Sequence, residues 1–152
     1  MESIKILPIS RYLPQQRPFI LVDKICDGSE KKCTTELTVT DEIVTVGDGE
    51  LLESGLLENL AQTCATHIGF VEIHIRKSNK INIGLVGAVK QCEIRRRVRV
   101  GEKLTTEAEE TFVFDNMSSY NVVAKVGNEI IAQGELQVVL SDLPIGNVNQ
   151  EN

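Results

Sequence analysis

The rhythm of hydrophobic and polar positions changes along this chain in a way that separates its elements. Residues 1–18 carry Pro8, Pro14 and Pro18 and follow neither period, so they form an irregular lead-in. Phe19-Ile20-Leu21-Val22 opens a strand-like stretch, and Asp27-Gly28-Ser29 closes it with turn residues. Residues 34–40 are rich in β-branched side chains and put Leu37 and Val39 on one face, which predicts the second strand of an antiparallel pair. Residues 51–75 follow a helical period. Leu57, Leu60, Ala61, Cys64, Ala65 and Ile68 recur at three-and-four spacing, while Leu52, Leu56 and Val71 add apolar surface elsewhere. This helix is expected to be buried on most sides. Gly55, Ala61, Ala65 and Gly69 are small enough to let it approach something flat. Ser54 is the candidate cap, with Glu58 just beyond the capping-box position.

After Asn79 the strand period returns. Residues 81–94 form one long candidate, and residues 104–114 place their core-like side chains mostly at even positions. Tyr120, Val122, Ala124 and Val126 alternate before the hairpin signal Gly127-Asn128. Ile130, Ala132, Leu136, Val138 and Leu140 complete the pattern, and the polar tail over residues 141–152 reads as loose. Two strands, one buried helix and about four more strands make an α+β domain spanning residues 1–152. A lone helix among so many strands has to be covered by a sheet wrapped round it.

Composition narrows the function. The net charge of -6 argues against a general nucleic-acid binder, which needs a basic footprint. No apolar run approaches the ~20 residues of a membrane span. The opening residues lack the apolar centre of a secretory signal, so a cytoplasmic domain is expected. Cys26, Cys33, Cys64 and Cys92 form no CxxC pair and, with His67 and His74, match no zinc-ligand spacing, so four reduced thiols serving as small apolar residues are expected. With no glycine-rich phosphate loop either, no cofactor or metal is implied.

Three separated segments carry a family likeness. Leu13-Pro14 with Arg17-Pro18-Phe19-Ile20-Leu21-Val22-Asp23-Lys24-Ile25 resembles the LPHRYPFLLVDRV opening of the hotdog-fold 3-hydroxyacyl-[acyl-carrier-protein] dehydratases. Glu58-Asn59-Leu60-Ala61-Gln62 resembles the E-A-x-A-Q segment of their central helix. Residues 94–102 (IRRRVRVGE) are similar to their FRRPVVPGD segment. The resemblance implies a hotdog fold, a dimer, and a substrate tunnel between the two helices. It also implies dehydration of a 3-hydroxyacyl thioester on acyl carrier protein. The family pairs a histidine, in a G-H-F-P loop, with a glutamate on the partner protomer's helix. The glutamate position is Glu58; the histidine has no counterpart here. Anchored on Gly47, Asp48 takes its place in a shortened loop; anchored on Glu58 without a gap, Val44 does.

Eliminating water from such a thioester needs a base for the α-proton, an acid for the leaving hydroxyl and a donor to the thioester oxygen. Glu58 is the candidate for one proton-transfer role, with Gln62 one turn on to orient it; the bland alternative is an acid facing solvent near a helix N-terminus. Asp48, between two glycines, is either an ordinary turn aspartate or the histidine's replacement. Gly55 is a candidate backbone donor and Leu56 a candidate tunnel residue. His67 and His74 read as structural or surface residues. Arg95, Arg97 and Arg99 share one strand face by period two; they suit either an acidic carrier protein or a charged strand edge.

The leading expectation is a homodimer acting as a dehydratase-like enzyme, with a carrier-protein or coenzyme A thioester as partner. Two others stay open: an acyl thioesterase in which Glu58 activates water, and a non-catalytic acyl-binding subunit paired with an active hotdog chain. Fold alone does not decide between them.

Overall fold

The computed structural model describes residues 4–78 and 82–144. Its strands are β1 (Lys24–Gly28), β2 (Lys32–Thr38), β3 (Val46–Gly47), β4 (Glu50–Leu51), β5 (Asn82–Ile94), β6 (Val98–Arg99), β7 (Lys103–Phe114), β8 (Met117–Val126) and β9 (Glu129–Pro144). Between β4 and β5 runs helix α1 (Glu53–Phe70), extended by a π-helical turn over Val71–Ile75. Six strands form one antiparallel sheet in the order β1-β2-β7-β8-β9-β5, and β3, β4 and β6 form a small second sheet. The large sheet is assembled from the pair before the helix and the four long strands after it, as the alternation of the sequence predicts.

The alternation also fixes the inner face. Cys33, Thr35 and Leu37 of β2, Leu104, Thr106 and Ala108 of β7, and Tyr120, Val122 and Ala124 of β8 all point inward and are buried. One row of paired residues, Thr35, Thr106, Ala124, Ala132 and Ile94, crosses five strands beneath the helix. Its small side chains keep the sheet close to α1, whose Leu56, Leu60, Cys64 and Ile68 fill the shared core.

Two bulges depart from the expected period. Between Glu110 and Phe112 the pairing with β8 slips by one residue, which turns Phe112 and Phe114 outward, 56% and 68% exposed, although even positions of this strand otherwise face the core. In β9 a slip between the pairs Ala124–Ala132 and Lys125–Ile130 sends Ile131 into the core and leaves Ile130 half-buried. An added residue reverses every side chain beyond it, and strict alternation cannot announce it.

Other boundaries also differ from expectation. Residues 19–22 are not a strand; the Phe19 carbonyl and both backbone groups of Leu21 bond side chains of the helix rather than β2. The helix cap is Leu52, whose extended backbone is held by its N–H donating to Thr45 O at 2.9 Å; Ser54 lies exposed inside the first turn. β9 continues to Pro144, into the stretch expected to be loose, and Ile81 and residues 145–152 lie outside the described residues. All four cysteines are free thiols; Cys33 and Cys64 are buried as expected, but Cys26 and Cys92 are exposed and do not fill the core.

The lead-in, irregular apart from a single 3₁₀ turn over Ile9–Arg11, crosses the helix at Gly69. A Cβ there would lie 2.7 Å from the Tyr12 carbonyl oxygen. An alanine at an ordinary helical glycine is favourable by roughly 0.5–1 kcal/mol. Here the sign reverses: Gly69→Ala is expected to destabilise by about 1–3 kcal/mol, read from urea unfolding midpoints at unchanged slope.

Candidate active site

The N-terminal half of α1 carries two buried amides that bond outside the helix. Gln62 is 1% exposed. Its Oε1 accepts the Leu21 N–H at 2.7 Å, and its Nε2 donates to Phe19 O and to Glu58 Oε1, both at 3.0 Å. Asn59 donates from Nδ2 to Leu21 O at 2.8 Å and accepts the Thr106 hydroxyl at 2.6 Å. Both backbone groups of Leu21 are therefore satisfied by helix side chains. A buried backbone needs such partners, and this is how residues 19–21 run beside the helix without belonging to the sheet.

This strap, the loop before β3 and the first turns of α1 enclose a cleft of about 280 Å³ lined by Pro18, Phe19, Leu21, Val44, Thr45, Ser54 and Glu58. Glu58, itself exposed, is the one ionisable side chain in that lining and accepts a hydrogen bond from the buried amide of Gln62. Val44, the histidine's position in the ungapped alignment, brings only an aliphatic side chain. Thr45 Oγ1 is buried without a hydrogen-bond partner among the described residues.

The other candidates fall elsewhere. Asp48 is exposed at the tip of the β3–β4 hairpin, where it and Gly49 take left-handed φ angles of 54° and 78°. It does not line the cleft. Leu56 is fully buried in the core under the helix. Gly55 packs so closely on Thr45 and Leu51 that a Cβ has no room, which accounts for the glycine through packing. Neither histidine reaches the cleft: His67 is buried at the far half of α1, and His74 Nε2 lies 2.7 Å from the Tyr12 hydroxyl.

The arginine stripe does not form. Residues 95–97 are not a strand, so period two does not apply to them, and only Val98–Arg99 pairs, with β4. Arg95 bonds Glu93 at 3.0 Å and Arg97 bonds Glu53 at 2.8 Å, while Arg99 is exposed. The central residue is Arg96, which sequence periodicity passes over. It binds both carboxylate oxygens of Glu102 at 2.9 and 3.0 Å and both of Glu129 at the same distances. With the Arg99 N–H as a further donor, Arg96 pulls the Glu102 carboxyl down to about 2. Asn59 and Thr45 are the other residues that sequence reasoning missed. The signal for Asn59 was available, as a second amide three residues before Gln62 on a helix otherwise read as apolar.

Comparison with known proteins bears on this geometry. The family model for ApeP-like proteins, described as ApeP dehydratase, matches residues 7–149. The chain belongs to the ApeP-like dehydratase family. Among the relatives of this ApeP-like chain is the 3-hydroxyacyl-[acyl-carrier-protein] dehydratase FabZ of Clostridioides difficile (strain 630), 32% identical over 143 residues, covering 90% of this chain and 97% of the relative. The FabZ of Listeria welshimeri is 30% identical over 147 residues, covering 93% and 99%. The solved dehydratase heterocomplex ApeI:P from Xenorhabdus doucetiae superposes with a TM-score of 0.82 at 17% identity, over 97% of this chain and 98% of that one. A hypothetical thioesterase protein solved with coenzyme A from Streptococcus pneumoniae TIGR4 shares the fold with a TM-score of 0.61 at 9% identity, over 78% and 84%. The ApeP-like chain is thus a dehydratase-like hotdog protein, its large antiparallel sheet packed against one long helix among the described residues.

Two outcomes follow from the site. Gln62→Ala leaves the buried Leu21 N–H unpaired, so a loss of about 1–3 kcal/mol is expected in urea unfolding, with faster amide exchange at Leu21. The Glu102 carboxyl is depressed in the folded protein, so its contribution is present above the ordinary carboxylate range and is lost as pH falls toward about 2. Glu102→Gln is expected to flatten the acid limb of stability against pH over that window.

Proposed function

We propose that this chain supplies the Glu58 half of a dehydratase site for a 3-hydroxyacyl thioester carried on acyl carrier protein, and that a second, histidine-bearing hotdog chain supplies the other half. The observation that carries the reading is the cleft itself. Glu58 is held by Gln62 at the cleft, and no histidine lines that cleft among the described residues. The FabZ relatives support the substrate class, and the solved ApeI:P heterocomplex supports a mixed pair of chains.

In this mechanism the partner's imidazole removes the α-proton of the thioester. The electron pair forms the new carbon–carbon double bond as the hydroxyl leaves from the neighbouring carbon. Glu58 gives its proton to that hydroxyl, which departs as water. Gln62 positions Glu58 and has no proton to exchange. A helix N-terminus has N–H groups without intrahelical partners, and the first turn of α1 places such donors beside the cleft, where negative charge develops on the thioester oxygen.

The test is turnover of a 3-hydroxyacyl thioester on acyl carrier protein, followed by mass spectrometry. The chain is assayed alone and co-purified with a histidine-bearing hotdog dehydratase chain. Loss of one water is expected only for the mixed pair, falling roughly 10²–10⁴-fold with Glu58→Gln. Dehydration by the chain alone would establish a self-sufficient homodimer instead. Release of free carrier thiol would establish a thioesterase, and a mixed pair indifferent to Glu58→Gln would make this chain a non-catalytic subunit.

A further inference from the structure

Toward the C-terminal end of α1, away from the cleft, three polar side chains form a line that dehydration leaves unused. His67 is fully buried, and its Nε2 lies 3.1 Å from the carbonyl oxygens of both Ser29 and Glu30, in the turn between β1 and β2. Carbonyl oxygens only accept, so Nε2 carries a hydrogen. Nδ1 lies 2.8 Å from the hydroxyl of Tyr120, which is also fully buried, and that hydroxyl lies 3.4 Å from Glu110 Oε2.

Counting hydrogens exposes a shortage. Two contacts remain, from Nδ1 to the phenol oxygen and from that oxygen to the carboxylate, and a phenol has one hydrogen to give. With a neutral imidazole and an ionised Glu110, one of the two contacts sets acceptor against acceptor. A single added proton completes both. Held on Glu110, it is donated to the Tyr120 oxygen while Tyr120 donates to Nδ1. Held on Nδ1, it is donated to the Tyr120 oxygen while Tyr120 donates to Glu110. The two forms interconvert when the Glu110 O–H bond breaks as the phenol oxygen takes that proton, and the phenol O–H bond breaks as Nδ1 takes the other. No net charge enters or leaves.

We propose that Glu110, Tyr120 and His67 share one proton and form a pH-sensitive lock, complete only when protonated, that ties α1 and the β1–β2 turn to β7 and β8. The proton has an entry point. Of the three side chains Glu110 alone keeps some exposure, 15%, at a cleft of about 70 Å³ that also reaches His67. The charged and titratable groups around the line come from every neighbouring element. Lys31, 3.9 Å from Glu110 Oε1, and Glu30 come from the β1–β2 turn; Cys33 comes from β2 and Cys64 from α1. Glu72 of the π-helical turn, Arg76 just after it, and Asp115 between β7 and β8 line the cleft. Burial raises the Glu110 carboxyl and lowers His67, which draws their titrations toward each other.

The test is an NMR titration that follows the Glu110 side-chain carboxyl carbon and the His67 ring carbons together. Groups coupled by more than about one pK unit titrate as a pair, so one common midpoint is expected at both probes. Tyr120→Phe breaks the line and is expected to separate the midpoints. Distinct midpoints in the wild type, or a common midpoint that survives Tyr120→Phe, overturn the proposal. Glu110→Gln guards against misfolding of that variant, since its amide supplies the missing hydrogen permanently. The His67 ring is then expected to lose its response in the same window, and an unchanged His67 titration overturns the proposal.

Discussion

The structure depends on one constraint: an irregular segment buried against a helix must have its backbone polar groups satisfied. Residues 19–21 meet no strand partner, so the helix supplies the bonds through Asn59 and Gln62. An unmade bond of this kind costs about 1–3 kcal/mol when buried. Those two amides fix the strap, the strap forms one wall of the cleft, and the second hydrogen of Gln62 Nε2 fixes Glu58. Support of the strap and placement of Glu58 therefore share a single carboxamide.

The fold was legible because its main features are periodic. Alternation in β2, β7 and β8 and the run of small residues on α1 both follow from a sheet curved closely over a helix, and each can be read without coordinates. The bulges at residues 111 and 131 were not legible, since an inserted residue leaves the hydrophobic composition intact while reversing direction. The strap was misread for a related reason. Phe19-Ile20-Leu21-Val22 has strand composition, and only the helix amides decide that its hydrogen bonds go elsewhere.

The site was legible in part. Glu58 and Gln62 were readable as a pair one turn apart, and they do meet. Asp48 was placed by anchoring on Gly47, but it sits at a hairpin tip where it and Gly49 take the left-handed backbone. The arginines were placed by strand period in a stretch that is mostly not strand, and the residue that organises it, Arg96, is defined by Glu102 and Glu129, one of them far away in sequence. Periodicity describes faces of regular elements. It does not describe which distant carboxylate a guanidinium will find.

The lead-in has a consequence for how the chain reaches its final form. The lead-in and the strap that follows it touch the helical stretch at two places, Tyr12 meeting His74 of the π-helical turn and Leu21 meeting Gln62 in mid-helix, across separations of 62 and 41 residues. The β7–β8 and β8–β9 hairpins close over short distances, whereas these contacts, like the β2–β7 pairing, bear the loop-closure entropy of a long stretch of chain. The cleft beside Glu58 is therefore walled by segments that are far apart in the chain and meet only in the folded state.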